Sequence, residues 1–327
     1  FCDIRNLDGT SFDADPRHVL RRNLDKARAQ GYELLVAPDI EFFYFSPPER
    51  GGSPTPLDEG GFFDLTTTDV AGSLRKETIR TLETMSIPVE YSFHEDAPSQ
   101  HEIDLRHTDA LTMADSIMTF RLIVKEVAAA QGVHATFMPK PLEGVQGSGM
   151  HLHLSLFKGE DNAFFDANDP YHLSATAKSF MAGLLFHAAE ITAITNQTVN
   201  SYKRLVEGAW APTTLTWGID NRTVALRVLN NSANACRLET RVIGSDVNPF
   251  LAMSACLASG LYGIKKKMKL TQPPTNGNGY LEKSFGTLPG TLWEATEKMK
   301  NSPLAKELFG KTFTDHFVQS REWEWRQ

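Results

Sequence analysis

The chain has 327 residues, enough to bury one large hydrophobic core or two smaller ones. Hydrophobic residues make up 41% and charged residues 22%, which are ordinary proportions for a globular protein. The formal net charge of −7 argues against nucleic acid or an anionic membrane surface as the main partner. No apolar run reaches the roughly 18 residues that a membrane-spanning helix needs.

The cysteines indicate the redox environment of the protein, and the two ends of the sequence indicate whether it is part of a longer chain. Cys2, Cys236 and Cys256 are scattered and form no CxxC pair, so neither a disulfide framework nor a zinc ribbon is expected. This usage favours a reducing, cytoplasmic location. Residues 1–4 are typical of a strand already under way, and residues 322–327 lie in a predicted helix. We therefore expect a piece of a longer protein.

The first elements are well marked. Asp15 and Pro16 predict the start of a helix that Gly31 ends. A strand is predicted from Leu34 to Phe45. The segment 46–61 is rich in Pro, Gly and Ser, which predicts an exposed loop.

Helices dominate the predictions for the rest of the chain. They are expected over residues 75–85, 109–131, 173–194 and 248–269, followed by a turn at 276–279 and a short helical section. Lysines at 265–267 indicate a solvated helix end. With strands between these helices and no internal repeat, the sequence predicts one α+β catalytic domain.

The strand at 34–45 contains an anomaly. Asp39 and Glu41 are two residues apart, so an extended strand points both to one face. Neighbouring carboxylates repel each other unless a cation lies between them, and a divalent metal ion fills that role. The alternative, a strand end with solvated acids, is equally compatible with this pair alone.

A second strand pattern follows a glycine turn. His151, His153 and Ser155 alternate with large apolar residues, so the polar three share a face. A His-x-His pair can bind zinc, but no third ligand stands at zinc-like spacing. The pair by itself also fits ordinary core or surface histidines.

A third strand pattern places Arg237, Glu239 and Arg241 on one face. Buried arginines need anions, and the carboxylate between them can be shared with a metal. An exposed salt-bridge ladder is the alternative. Other polar candidates are Glu95, Glu102, Arg204, Arg222 and Arg227.

The combination indicates a type of chemistry. Ligation dominated by carboxylates favours Mg²⁺ or Mn²⁺ over zinc or copper. Five arginines suit a polyphosphate and a carboxylate substrate, both anions with several oxygens. Metal ions together with phosphate-binding arginines predict phosphoryl transfer.

At these segments the sequence resembles the glutamine synthetase family, and the resemblance spans almost the whole chain. It rests on four distinctive runs in the family's order: QHEIDL at 100–105, ATFMPKP at 135–141, GSGMH at 147–151 and VNSYKR at 199–204. The resemblance implies an antiparallel sheet that forms a metal-lined funnel, with helices packed outside. It assigns residues 13–327 to the catalytic domain and 1–12 to a remnant of a small N-terminal β domain.

The resemblance also implies ligands. Glu41, Glu95 and Glu102 would hold one metal ion. Asp39, His151 and Glu239 would hold the other, which bridges the phosphates of ATP.

Further positions match those that bind substrates in the family. Arg204, Arg222, Arg227 and Arg237 would handle the ATP phosphates and the transferred group, with Arg204, Arg222 and Arg237 catalytic. Arg241 would grip the glutamate α-carboxylate. Gln146 and Gly147 would line the glutamate site, and Ser155 would contact the nucleotide.

The implied reaction has two steps. The side-chain carboxylate of glutamate attacks the γ-phosphorus of ATP to give an acyl phosphate, and ammonia or an amine then displaces phosphate. The resemblance further implies a homo-oligomer of stacked hexameric rings.

The sequence departs from the ammonia-using members at the amine site. Trp210 stands where those enzymes have the glutamate that binds ammonium and takes its proton. Milder departures are Asp39 for glutamate, Phe62 for tyrosine, and residues 217–223, which are closer to γ-glutamyl-amine ligases. The departures favour an organic amine. The alternatives are a true glutamine synthetase, with Glu207 as candidate base, and an inactive structural relative.

Overall fold

The computed structural model describes residues 1–47, 52, 55–65 and 71–327. Its helices are α1 (Pro16–Arg28), α2 (Gly72–Thr84), α3 (Ala110–Ala130), α4 (Ala175–Thr195), α5 (Val199–Arg204), α6 (Pro249–Lys265), α7 (Leu292–Asn301), α8 (Pro303–Phe309) and α9 (Lys311–Arg326). Its strands are β1 (Glu33–Ser46), β2 (Thr55–Pro56), β3 (Val89–His94), β4 (Gln100–Leu105), β5 (Thr108–Asp109), β6 (His134–Thr136), β7 (Met150–Lys158), β8 (Asp161–Asn162), β9 (Trp217–Ile219), β10 (Leu226–Leu229) and β11 (Arg237–Thr240).

The predicted helix starts are confirmed by their caps. The Asp15 side chain accepts a hydrogen bond from the Arg17 backbone N–H at the start of α1, and Asn248 caps α6 in the same way. Helix α6 ends at Lys265, four residues before the predicted end at 269. Lys267 has a φ of 51°, a left-handed conformation that a helix cannot continue through. The three lysines at 265–267 are exposed, as predicted.

One large sheet organises the chain, and the α+β prediction is confirmed. The strand order is β3-β4-β1-β7-β11-β10-β9, with β2, β5 and β6 pairing along β1 and β8 pairing with β7. Among the described strands the pairs are antiparallel, as predicted, except for β9 with β10, which is parallel and makes the sheet mixed at that edge. Residues 220–225 return the chain to the start of β9, helped by a left-handed φ of 45° at Asp220.

The helices pack on the apolar side of the sheet. Alternate residues of β7, from Met150 to Leu156, lie in the main hydrophobic core with the buried side of α3. Helix α6 is buried along most of its length and packs against α4 and α1. The polar side of β1, β4, β7 and β11 is left to form a site.

Two local predictions need correction. Residues 1–4 form no strand with any of the described residues; Asp3 instead binds Arg17 and Arg21 of α1 through its carboxylate. The assignment of residues 1–12 to a separate β domain stays a prediction. In the predicted loop 46–61, positions 48–51 and 53–54 lie outside the described residues, and Asp58 is buried rather than exposed.

Within the part of the chain that the structure describes, no helix is long and apolar enough to span a membrane.

Candidate active site

The register of the sheet arranges the predicted site residues in rows across its polar face. Strand β1 is central: Glu41 lies opposite Glu102 on β4, and Asp39 lies opposite His151 on β7. In the next row, His153 of β7 lies opposite Glu239 of β11. The rows bring together side chains from four strands that are far apart in sequence.

At one end of this face, Glu41, Glu95 and Glu102 form a group that we call the carboxylate triad. One oxygen of each lies within 4.8 Å of the others, the spacing of a metal site. Burial, together with repulsion from Glu95, raises the pKa of Glu41 to about 8. Burial and neighbouring carboxylates likewise raise the pKa of Glu102 well above its usual value. A divalent cation is the partner that would let all three ionise.

At the other end, Asp39, His153 and Glu239 form what we call the mixed group, whose ligand atoms also lie within 4.8 Å of one another. The His153 Nε2 atom is 2.9 Å from Asp39 Oδ2. His151 stands between the two groups, 3.8 Å from Glu41 and 3.6 Å from Glu239. Its Nε2 atom is buried without a hydrogen-bond partner among the described residues, as expected of a nitrogen that binds an absent group.

The mixed group differs from the predicted ligand set in one residue. The resemblance implied Asp39, His151 and Glu239, whereas His153 comes closest to Asp39 and Glu239. Both imidazoles lie on the site face, so His153 joins the candidates and His151 remains one.

Arginines surround Glu239. Arg227 donates to its Oε2 at 2.8 Å, and Arg241 donates to its Oε1. Burial alone would raise the pKa of Glu239, but these guanidinium groups and both histidines lower it far below its usual value. Glu239 is completely buried, so the exposed salt-bridge ladder is excluded.

The remaining arginines differ in exposure. Arg204 is only 2% exposed and donates to the Val242 and Arg241 carbonyls at 3.1 and 3.2 Å. Burial lowers its pKa to about 10. Arg237 donates to His153 Nδ1 at 3.1 Å, and the exposed Arg222 accepts at its backbone carbonyl from Arg241.

The predicted glutamate-site loop lies beside the carboxylate triad. Gln100 donates to the Gly147 carbonyl at 3.1 Å and to Glu41 at 3.4 Å. A side chain at Gly147 would place its Cβ 2.3 Å from the Pro139 carbonyl, so only glycine fits. Gln146 lines an open cavity nearby. Ser155 lies at the far end of β7 and donates to the Cys236 carbonyl at 3.1 Å.

Trp210 lies next to the arginine predicted to grip glutamate. Its backbone carbonyl accepts from Arg241 Nη2 at 3.5 Å, and its side chain is 50% exposed. Its φ is 57°, an uncommon conformation for a bulky residue. The Glu207 carboxylate forms an ion pair with the Lys283 ammonium group at 2.5 Å.

Sequence reasoning missed two features of this region. Asp104 lies opposite Asp39, and its raised pKa reflects burial and the Asp39 charge. His94 and His101 form a third cluster with Asp58 behind the sheet. The available signal was a His-Glu dipeptide that occurs twice, at 94–95 and 101–102.

Fold and site together define an α+β enzyme that gathers carboxylates, imidazoles and guanidinium groups on one sheet face. Residues 13–327 match the family model described as glutamine synthetase, catalytic domain. A glutamine synthetase of Mycolicibacterium smegmatis is 48% identical over 340 residues, covering 99% of this chain and 75% of the relative. One from Thermus thermophilus is 42% identical over 333 residues, covering 99% of this chain and 74% of the relative.

Solved structures agree with this assignment. GmaS in complex with ADP has a TM-score of 0.91 at 32% identity, covering 99% of this chain and 76% of that one. Plasmodium falciparum glutamine synthetase has a TM-score of 0.88 at 25% identity, covering 99% of this chain and 78% of that one. The chain belongs to the glutamine synthetase family. It is an ATP-dependent carbon–nitrogen ligase.

Proposed function

We propose that this ligase joins an organic amine to the γ-carboxylate of glutamate through a γ-glutamyl phosphate. The amine choice rests on Trp210, which by the sequence resemblance takes the position of the ammonium-binding glutamate and whose backbone carbonyl accepts from Arg241. An indole has no charge and cannot take a proton from ammonium. It can contact an organic amine through apolar surface, and it can attract a cation by about 0.5–2 kcal/mol.

We propose two divalent ions, Mg²⁺ or Mn²⁺. The carboxylate triad would hold one, and Asp39 and Glu239, with His151 or His153, would hold the other. Two features support the fit: Glu41 and Glu102 are buried with raised pKa values, and His151 Nε2 has no hydrogen-bond partner in the part of the chain that the structure describes. When bound, such ions act as Lewis acids that stabilise negative charge on phosphoryl oxygens.

The protein's own groups would orient the substrates for the first step. Arg241 would bind the glutamate α-carboxylate, with Gln146 and Gly147 along the same substrate. Arg204, Arg222, Arg227 and Arg237 would hold phosphate oxygens, with Ser155 beside the nucleotide. A γ-carboxylate oxygen attacks the γ-phosphorus as its bond to ADP breaks, and the guanidinium groups stabilise the spread charge.

In the second step the free amine attacks the carbonyl carbon. The bond from that carbon to the phosphate oxygen breaks, and the nitrogen loses one proton, which the released phosphate can take, as the amide forms. The ADP and phosphate released are common to all amine substrates, so only the nitrogen nucleophile distinguishes an amine ligase from a glutamine synthetase.

Glutamine synthesis from ammonia is the second candidate. It is favoured by the 48% identity to a glutamine synthetase and by Glu207, the nearest acid in sequence to Trp210. Against Glu207 as the base, its carboxylate is paired with Lys283.

Phosphate release by the full-length protein, with ATP, Mg²⁺ and glutamate, tests the amine choice. We expect alkyl-, hydroxyalkyl- or polyamines to exceed ammonium in kcat/KM. Trp210→Glu should shift the preference towards ammonium by about tenfold or more, because a carboxylate can bind ammonium and take its proton. Trp323→Glu, at an exposed tryptophan of α9, is the matched control and should leave the preference unchanged. Preference for ammonium in the unmodified protein would favour the second candidate.

A ring assembly and a cytoplasmic location complete the proposal. Sedimentation of the full-length protein tests the stacked hexameric rings, since a monomer or dimer would contradict them.

A further inference from the structure

The third cluster, behind the carboxylate triad, is a buried polar group. It consists of Asp58, His94 and His101, and we call it the rear group. All three residues are buried, and His94 and His101 face each other across β3 and β4. Each histidine directly precedes a member of the triad, Glu95 or Glu102.

His94 links Asp58 to the backbone at Glu95. Its Nδ1 lies 2.7 Å from the Glu95 carbonyl oxygen, and its Nε2 lies 2.9 Å from Asp58 Oδ1. His94 and Asp58 therefore form a buried polar pair that reaches the Glu95 backbone.

Asp58 also holds the loop on which Glu95 lies. Its Oδ1 accepts from the Ser99 backbone N–H at 2.9 Å and from that of Gly60 at 3.2 Å. In return, the Ser99 hydroxyl oxygen accepts from the backbone N–H of Leu57 and of Asp58 at 2.5 and 3.0 Å. The segment 57–60 and the turn at 95–99 are therefore locked together.

The rear group has the spacing of a metal site, but its donors argue against one. Arg75 donates to His101 Nδ1 at 2.7 Å, and both ring nitrogens of His94 already lie at hydrogen-bond distance from oxygen acceptors. The group is therefore held together by hydrogen bonds of the protein itself.

We propose that Asp58 and His94 are positioning residues that fix Glu95 for metal binding at the carboxylate triad. His94 binds the Glu95 carbonyl and Asp58 holds both His94 and the turn after Glu95, so together they fix the backbone on both sides of that ligand. Ligand groups held by outer partners bind metal more tightly, and losing such a partner typically weakens affinity 10–100-fold. The inference rests on the proposed metal role of the triad.

Two adjacent glycines offer a matched test. A Cβ at Gly60 would lie 2.6 Å from His94 Nε2, whereas a Cβ at Gly61 would have no atom within 4 Å. Gly60→Ala therefore displaces His94 without removing any hydrogen-bonding group, and Gly61→Ala adds the same atom harmlessly. Asp58→Asn is a second variant: it removes the carboxylate charge beside His94 and weakens the hydrogen bond that joins the two side chains.

The measurement is Mn²⁺ titration of the full-length protein, followed by electron paramagnetic resonance, with Glu102→Gln identifying the triad site. We expect Gly60→Ala and Asp58→Asn to weaken that site about tenfold and to leave the second site unchanged. Gly61→Ala should match the unmodified protein at both sites. A purely structural role would instead lower the melting temperature and weaken both sites together.

The other outcomes distinguish the positioning role of Asp58 and His94 from the metal-binding role of the carboxylate triad. Two Mn²⁺ sites with unchanged affinities in Gly60→Ala and Asp58→Asn would overturn the positioning role and leave the triad as a metal site. No Mn²⁺ binding by the unmodified protein would overturn the triad assignment and the positioning role with it. A tight Zn²⁺ ion that Asp58→Asn abolishes would show that the rear group is itself a metal site.

Discussion

The two ends of the site face contain similar acids in opposite electrostatic states. In the carboxylate triad, buried acids face one another, and the pKa of Glu41 rises to about 8. In the mixed group, Glu239 is at least as deeply buried, yet its pKa falls far below normal because Arg227 and Arg241 bind it. Burial is common to both, so the nearby cations make the difference.

This contrast shows how one sheet face can prepare two kinds of ligand. Glu239 is ionised by the protein itself, whereas the triad needs an external cation to become fully ionised. The mixed group should therefore stabilise the folded protein even without a bound metal ion. The carboxylate triad should stabilise it only when a metal ion is bound.

The largest effect is expected from Glu239→Gln. Turnover should fall by more than 100-fold, beyond the loss typical of residues behind a ligand. The unfolding free energy should fall by about 3 kcal/mol, because two buried guanidinium groups lose their carboxylate. Steady-state kinetics measures the turnover, and urea unfolding measures the free energy of unfolding. Near-normal turnover would show that Glu239 is not a ligand.

Glu102→Gln should have the opposite effect on the metal-free protein. An uncharged amide replaces an acid whose pKa is raised by burial and by neighbouring carboxylates, so stability in EDTA should be unchanged or about 1 kcal/mol higher. The stabilisation by Mn²⁺, measured as a shift in melting temperature, should shrink because one site is lost. If Glu102→Gln destabilised the metal-free protein as much as Glu239→Gln does, the contrast between the two ends would be wrong.

A third effect is a pH dependence in the metal-free protein. The ordinary pKa of Glu41 is 4.5 and the folded value is about 8, so between these values the folded state binds more protons than the unfolded chain. The contribution of Glu41 to stability is therefore present at low pH and declines as pH rises from about 4.5 to 8, by at most ~1.4 kcal/mol per pH unit.

Urea unfolding at pH 5 to 8 in EDTA measures this dependence, with Glu41→Gln as the reference that lacks it. Saturating Mg²⁺ should abolish this pH dependence in the unmodified protein, because the bound ion keeps Glu41 ionised, whereas Glu41→Gln, which lacks one ligand, should gain less stability from the ion. A difference that grows in favour of the unmodified protein as pH rises would contradict the assigned sign.

Much of the site could be predicted because its residues alternate on strands. Asp39 with Glu41, and Glu239 with its flanking arginines, are polar where a buried strand should be apolar, and this anomaly is visible without a structure. Asp58 could not be predicted in the same way. It belongs to a Pro- and Gly-rich segment that by composition should be exposed, and its partner His94 lies 36 residues away.

By itself, the sequence determined the local features of this protein. These are the capped starts of α1, α3 and α6, the alternating faces of β1 and β7, and the strand positions at which acidic residues stand. These depend on side chains within a few residues of one another. Only the tertiary structure decided which strands pair and in what register. In that register the backbone of Asp39 lies opposite His151, and that of His153 lies opposite Glu239. The tertiary structure also decided that Trp210 adopts a left-handed backbone beside Arg241, because long-range pairing, burial and net local charge are properties of the assembled sheet.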